Sequence, residues 1–113
     1  MFKRENRLVS SVRFTNSYKF SIGEFVLKEK KNGLLLNRFG IVVSKKIDKR
    51  AVVRNRIKRI FREDLIEINK NMNPGHDILF IARTGVLKKT KEEIGLSVKN
   101  SLEKAGLLRM IKD

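Results

Sequence analysis

The sequence has no cysteine and no tryptophan, and it holds one histidine and one proline in 113 residues. Without cysteine there are no disulfides, thiolate metal sites or cysteine nucleophiles. No run of about 20 apolar residues and no signal-peptide pattern is found, which argues against a membrane-spanning or exported chain. Acidic residues are also scarce, because 12 Asp and Glu stand against 27 Lys and Arg.

The excess of basic residues is the strongest compositional signal. The formal net charge is +15 and the pI is about 10.6. Such a field attracts polyanions, with nucleic acid the first candidate and an anionic membrane surface the weaker one. A hydrophobic content of 41% with seven phenylalanines is enough for a folded chain. We therefore expect one cytoplasmic, polyanion-binding domain over residues 1–113.

Residues that could perform catalysis are few and poorly placed. The only histidine, His76, follows Pro74 and Gly75, and a lone histidine in a turn is usually structural. The acidic pairs 63–64 and 92–93 are adjacent, so on a helix their side chains diverge by about 100° and make poor two-metal sites. No phosphate-cradling glycine-rich loop is present. We expect no catalytic residue and no metal site in the protein itself.

The segment 51–68 combines an apolar stripe with a dense cluster of basic residues. Helical periodicity places six apolar side chains on one side, namely Val53, Ile57, Ile60, Phe61, Leu65 and Ile68. Six polar or basic side chains occupy the rest of the surface near its start, namely Arg54, Asn55, Arg56, Lys58, Arg59 and Arg62. A basic run is often only solvated surface. Four arginines and an asparagine favour recognition of phosphates and base edges instead.

The remaining elements follow from shorter patterns. In chain order we first predict a short helix begun by Ser10 or Ser11, and then a strand over 21–31 with a bulge or bend at Gly23. An Asn32-Gly33 hairpin turn leads to a second strand, which runs from about Leu34 or Phe39 to Ser44. A helix over about 50–70, a buried strand over 77–83 and a helix over 90–108 complete the chain. Thr90 and Glu93 form a capping-box pattern. The fold class is therefore α+β with a small sheet.

Two aromatic residues near the amino terminus have two interpretations. Phe14 and Tyr18 are four residues apart and would share a face of the predicted short helix. They could be core residues, or they could form a platform on which unpaired bases stack. Lys45 and Lys46 precede the basic segment and extend its set of cations. Together these residues could contact about six to ten phosphates.

The order of motifs resembles the protein subunit of bacterial ribonuclease P. The central match is Arg54-Asn55-Arg56-Ile57-Lys58-Arg59 followed by Arg62. Supporting matches are Arg7-Leu8, Phe14 with Tyr18, Phe25-Val26-Leu27, residues 40–46, Ala51-Val52-Val53 and residues 77–83. The resemblance covers about residues 3–108.

The resemblance implies a fold and a function. The fold is an α-β-β-β-α-β-α sandwich with a mostly antiparallel four-stranded sheet and a left-handed βαβ crossover, although about 98% of such crossovers are right-handed. The activity is endonucleolytic removal of the 5′ leader of precursor tRNA by a catalytic RNA subunit with Mg²⁺. RNA contacts would come from Arg54, Asn55, Arg56, Lys58, Arg59, Arg62, Lys45 and Lys46. The leader cleft would be lined by Phe14, Tyr18, Val26 and Lys28. The protein's partners would then be ribonuclease P RNA and the precursor-tRNA leader, with no membrane and no obligate protein partner.

The sequence also departs from the family pattern. The segment between Tyr18 and Phe25 is several residues shorter, which predicts a trimmed first helix or first strand. Lys28 stands where many members have an aromatic residue, and residues 47–50 contain one extra residue. Two other functions remain to be separated by experiment, a ribosomal-protein-like RNA binder and an independent protein nuclease.

Overall fold

The computed structural model describes residues 3–8, 12–15 and 17–108. Its strands are β1 (Tyr18–Ser21), β2 (Phe25–Lys31), β3 (Arg38–Val42) and β4 (His76–Ala82), and its helices are α1 (Ala51–Asn69) and α2 (Lys91–Lys104). Short 3-10 turns occupy Arg4–Asn6 and Thr84–Lys88. Neither helix in this part of the chain is long and apolar enough to cross a membrane.

The four strands form one sheet in the order β1-β2-β4-β3. The β1–β2 and β2–β4 pairs are antiparallel and the β3–β4 pair is parallel, so the predicted α+β class and mostly antiparallel sheet are confirmed. The near-continuous apolar sequence of β4 suits its central place, because both of its edges are paired. The left hand of the β3–α1–β4 connection stays a prediction.

The predicted hairpin at Asn32-Gly33 is wrong. Gly33 does form a turn with a positive φ of 72°. The strands on either side of it do not pair, however, because β4 lies between β2 and β3. Asn-Gly turns favour a hairpin only when no third strand competes for the same edge. Here the apolar β4 pairs with the edge of β2 and with the edge of β3 that a hairpin would have joined. The side chain of Asn32 donates a hydrogen bond to Asp77 of β4, at 3.0 Å.

The predicted single strand over 21–31 is two strands. β1 and β2 are joined by a tight turn over residues 22–24, in which Gly23 lies. Gly85 of the second 3-10 turn presses against this turn, so that a Cβ atom at position 85 would overlap the carbonyl group of Gly23. Gly23, where the sequence predicts a bulge or bend, thus lies in a turn against which the second 3-10 turn packs.

The predicted amino-terminal helix is not found in the described residues. Residues 12–15 contain no helix, and Tyr18 begins β1, where it pairs with Glu29 of β2. The backbone hydrogen-bonding groups of residues 18–21 are therefore paired with β2, and Tyr18 is part of a strand and not of a helix. Ser10 and Ser11, the predicted capping residues, lie outside the described part of the chain.

Both helices pack on one face of the sheet and enclose the core. Phe25, Phe61 and Phe80 come from β2, α1 and β4, are fully buried, and meet at ring-centroid distances of 5.1–5.7 Å. The inward stripe of α1 is confirmed, since Val53, Ile57, Phe61 and Leu65 are buried and Ile60 and Ile68 pack beside them. On the other side of the sheet, the described residues place no α-helix.

The helix boundaries agree with the sequence prediction except at the last one. The capping box at α2 is present, with Thr90 Oγ1 accepting from the Glu93 amide at 3.1 Å and Glu93 Oε1 accepting from the Thr90 amide at 2.9 Å. The helix ends at Lys104 rather than at residue 108, because Gly106 adopts a left-handed φ of 74° that turns the buried Leu107 toward the core.

Candidate nucleic-acid interface

The outward surface of α1 carries the predicted RNA-binding residues. Asn55, Arg56 and Arg59 are exposed, while Lys58 and Arg62 are half-buried beside the apolar stripe. In the described part of the chain, none of these five side chains makes a hydrogen bond or an ion pair. Their donors are therefore available to a ligand, and guanidinium groups suit the bidentate recognition of phosphate.

Arg54 has a different role from its neighbours. Its Nη1 atom donates hydrogen bonds to the carbonyl oxygens of Asp48 at 3.0 Å and Lys49 at 2.7 Å. In the same turn, Arg50 donates to the Asp48 carboxylate through its side chain and backbone, which lowers the pKa of Asp48 to about 2. Arg54 therefore positions the connection before α1, a role that the sequence pattern does not reveal.

Lys45 and Lys46 lie in this same connection. Both are exposed, and the turn that holds them is closed by a hydrogen bond from the Ile47 amide to the Ser44 carbonyl at 3.0 Å. The connection joins β3 to the start of α1. The structure thus brings these two lysines to the same end of the molecule as the first turns of α1.

A groove separates the edge strand β3 from α1. Its volume is about 380 Å³, and it is lined by Arg7, Leu8, Phe39, Gly40, Ile41, Lys58 and Arg62. The Leu8 amide donates to the Phe39 carbonyl at 2.9 Å, which holds this segment against β3. A Cβ atom at position 40 would lie 3.0 Å from Leu8 Cδ2, so glycine permits the close approach. Arg7 lines this groove together with Lys58 and Arg62, but our prediction of RNA-binding residues did not include it.

The face of the sheet without helices, here called the open face, carries two of the predicted cleft residues. Val26 and Lys28 alternate with the buried Phe25 and Leu27, so they point to the open face. Lys28 pairs directly with Lys19 of β1. Two lysines side by side repel each other, which an anion would relieve. The binding prediction missed Lys19, because only the strand register places it here.

Phe14 also belongs to the open face, whereas Tyr18 does not. The amino group of Lys30, another residue of that face, lies 5.7 Å from the centre of the Phe14 ring. Tyr18 pairs with Glu29, and Glu29 lies two residues after the buried Leu27, so both of these β2 residues face the helices. The ring of Tyr18 therefore points to the helical side of the sheet. Tyr18 thus lies on the opposite side of the sheet from Val26 and Lys28, because a strand alternates its side chains while the expected helix would not. That the three residues line one leader cleft stays a prediction, which this placement does not favour.

His76 forms a pair with Glu29 on the helical side of the sheet. His76 Nδ1 lies 2.6 Å from Glu29 Oε1, and the two side chains are 14% and 13% exposed. Across residues 3–8, 12–15 and 17–108, no three His, Asp or Glu side chains are grouped so that they could hold a metal ion. The donors available at the candidate interface are thus cationic or neutral.

Comparisons with known proteins show to which family the chain belongs. The family model described as Ribonuclease P matches residues 2–106. The ribonuclease P protein component of Clostridium acetobutylicum is 40% identical over 111 residues, covering 93% of this chain and 92% of that protein. The chain is a member of the ribonuclease P protein family.

Two solved structures of ribonuclease P proteins share the fold. The Staphylococcus aureus protein superposes with a TM-score of 0.76 at 27% identity, covering 99% of both chains. The Thermotoga maritima protein gives a TM-score of 0.72 at 27% identity, covering 79% of this chain and 84% of that one. As a ribonuclease P protein component of bacterial type, this chain has ribonuclease P RNA as its partner.

Proposed function

We propose that the protein binds ribonuclease P RNA and the 5′ leader of precursor tRNA, and so assists the endonucleolytic removal of the leader. The observation that carries the proposal is the set of five side chains on α1 without partners in the described chain, Asn55, Arg56, Lys58, Arg59 and Arg62. Their donors project from a helix that is anchored in the core by its opposite face. The backbone that carries these side chains is therefore fixed before RNA arrives, which lowers the entropic cost of binding.

In this proposal the RNA subunit performs the cleavage, with Mg²⁺ ions held mainly by that RNA. Two RNA chains that meet repel each other, and each phosphate that a lysine or arginine neutralises reduces the repulsion and releases counterions. A protein with a net charge of +15 supplies that neutralisation. It would thereby lower the Mg²⁺ concentration at which the RNA subunit works.

We assign the leader to the open face. Single-stranded nucleic acid binds where cations follow its backbone and aromatic rings stack on its bases. Lys19, Lys28 and Lys30 provide the cations, Phe14 provides a ring, and Val26 adds apolar surface between them. Because Lys28 replaces an aromatic residue of the family pattern, this chain would rely on fewer stacking contacts and on more charge.

The test is cleavage of precursor tRNA by ribonuclease P RNA at low Mg²⁺, with and without this protein. We expect no cleavage by the protein alone and stimulated cleavage at the mature 5′ end when both are present. Tight RNA binding without stimulation would favour the ribosomal-protein-like alternative. Cleavage by the protein alone would show an independent nuclease and overturn the proposal.

The two aromatic residues should respond differently to alanine substitution. Phe14→Ala is expected to weaken leader binding to the complex by about 1–3 kcal/mol, the usual value of one stacked base. Tyr18→Ala is the matched control, because its ring points to the other side of the sheet, and it should leave leader affinity unchanged. Fluorescence titration with precursor tRNAs of different leader length measures both. Loss of leader affinity in Tyr18→Ala alone would contradict the open-face assignment.

A further inference from the structure

A second groove lies between α1 and the segment that leads into α2. We call it the interhelical groove, with a volume of about 560 Å³ and a lining of Arg56, Arg59, Ile60, Glu63, Lys89 and Lys91. One wall is the outward surface of α1. The other wall comes from Lys89 and Lys91, which neither the helix pattern nor the family motif marks as binding residues.

The charges on the two walls are mostly uncompensated. Within the described residues, the side chains of Arg56, Arg59 and Lys89 make no hydrogen bond or ion pair, although the charge of Lys89 also acts on the nearby Glu93 carboxylate. Lys91 pairs with Glu63 across the groove, with Nζ and Oε2 separated by 3.2 Å. Both members of that pair are at least half exposed, so the contact is screened by water and contributes little to folding. In the described chain, three cations without an ion pair therefore line the groove together with one acidic residue, Glu63.

The second wall is held firmly in place. Val86 is 2% exposed and anchors the 3-10 turn that precedes Lys89 in the core. Gly85 rests against the backbone of Gly23, and the Thr90 capping box fixes the residue after Lys89. The position of the Lys89 backbone is thus set before any ligand arrives, which lowers the entropic cost of binding.

We propose that the interhelical groove binds the phosphodiester backbone of ribonuclease P RNA, with Lys89 and Lys91 as binding residues beside Arg56 and Arg59. This inference rests on the proposed function and extends it to a second wall. Cations on two sides of a groove can contact phosphates on both sides of a strand, whereas the helix alone contacts one side. The ligand chemistry is that of a phosphate backbone, without base recognition.

The position of the groove favours the RNA subunit over the leader. The groove opens in the helical layer, whereas the leader candidates Phe14, Val26 and Lys28 lie on the open face at the back of the sheet. The molecule measures 27 Å even along its shortest axis. A leader bound to the open face would have to pass around the sheet to reach the groove. We therefore assign the groove to ribonuclease P RNA, which is the larger of the two RNA partners.

The test measures the affinity of the full-length protein for ribonuclease P RNA over a range of salt concentrations. Lys89→Gln is expected to reduce the slope of log K against log salt by about 0.7–0.9, the value of one lost phosphate contact. Lys99→Gln is the matched control, because Lys99 is an exposed lysine two turns farther along α2 and outside the groove. The control should bind with a slope closer to that of the unchanged protein.

A second variant should strengthen binding. Glu63→Gln removes the only acidic side chain that the described residues contribute to the groove, and it releases Lys91 from its ion pair. We expect tighter binding of ribonuclease P RNA and a steeper salt slope, with an unchanged melting temperature. A general loss of folding would not produce tighter binding, so this variant separates the proposed contact from a structural role.

The outcomes distinguish this inference from the proposed function. If the unchanged protein does not bind ribonuclease P RNA at all, the proposed function fails. If it binds but Lys89→Gln and Glu63→Gln both behave like Lys99→Gln, only the groove is overturned. If Lys89→Gln weakens binding of precursor tRNA in proportion to leader length and leaves RNA-subunit affinity unchanged, the groove holds the leader and the assignment to the RNA subunit is wrong.

Discussion

Replacing Asp77 by alanine is expected to lower the free energy of unfolding by about 3 kcal/mol. Asp77 is 1% exposed and is the second residue of the central strand, where Arg38 donates two hydrogen bonds to its carboxylate at 2.8 and 2.7 Å. Asn32 donates a third at 3.0 Å. Removing one member of a buried pair costs about 3–5 kcal/mol. We expect the lower end, because Arg38 is 22% exposed and can be rehydrated.

Urea unfolding measures this effect. Glu67→Ala is the matched control, because Glu67 forms its ion pair with Lys70 on the surface, where such pairs contribute less than about 1 kcal/mol. A loss in Asp77→Ala no larger than in the control would show that the Arg38 contact is not made in solution.

The carboxylate of Asp77 should also make the free energy of unfolding depend on pH. Burial alone would raise the pKa of Asp77, but the hydrogen bonds from Arg38 and Asn32 outweigh burial and hold that pKa below its ordinary value. A lowered pKa gives stability that is complete above the unfolded value, near pH 4, and is lost as the pH falls through the folded value. The difference in stability between the unchanged protein and Asp77→Asn should therefore shrink below about pH 4.

Replacing both Arg56 and Arg59 by glutamine is expected to have the largest effect on RNA binding. If each contacts one phosphate, the salt slope falls by about 1.4–1.8 and affinity near physiological salt drops by about 10- to 30-fold. Both side chains are exposed and have no partner in the described chain, so folding should not change. Arg54 would be a poorer choice, because it also holds the turn before α1.

Filter binding to ribonuclease P RNA at several salt concentrations measures this prediction. The double variant Lys31→Gln/Lys99→Gln is the control, because it removes the same charge from exposed positions outside both grooves. An equal loss in the two double variants would mean that net charge alone drives binding. The outward surface of α1 would then have no special role in recognition.

Features set by neighbouring residues could be predicted from the sequence alone. The apolar stripe of α1, its basic surface and the capping box of Thr90 and Glu93 each depend on residues within one or two helical turns. The central strand was also predictable, because a near-continuous apolar run of strand length is typical of an interior strand of a sheet. The order of motifs then indicated the family.

Features set by distant residues required the tertiary structure. The insertion of β4 between β2 and β3 cancelled the local hairpin signal, and strand pairing placed Tyr18 and Phe14 on opposite sides of the sheet. Lys19 and Lys89 became binding candidates only when the register and the packing of the 3-10 turn brought them beside other cations. Local periodicity specifies which face of an element is buried, but it does not specify which distant element covers that face. The central place of β4 decided this, because its backbone donors and acceptors are paired on both edges only when it lies between β2 and β3.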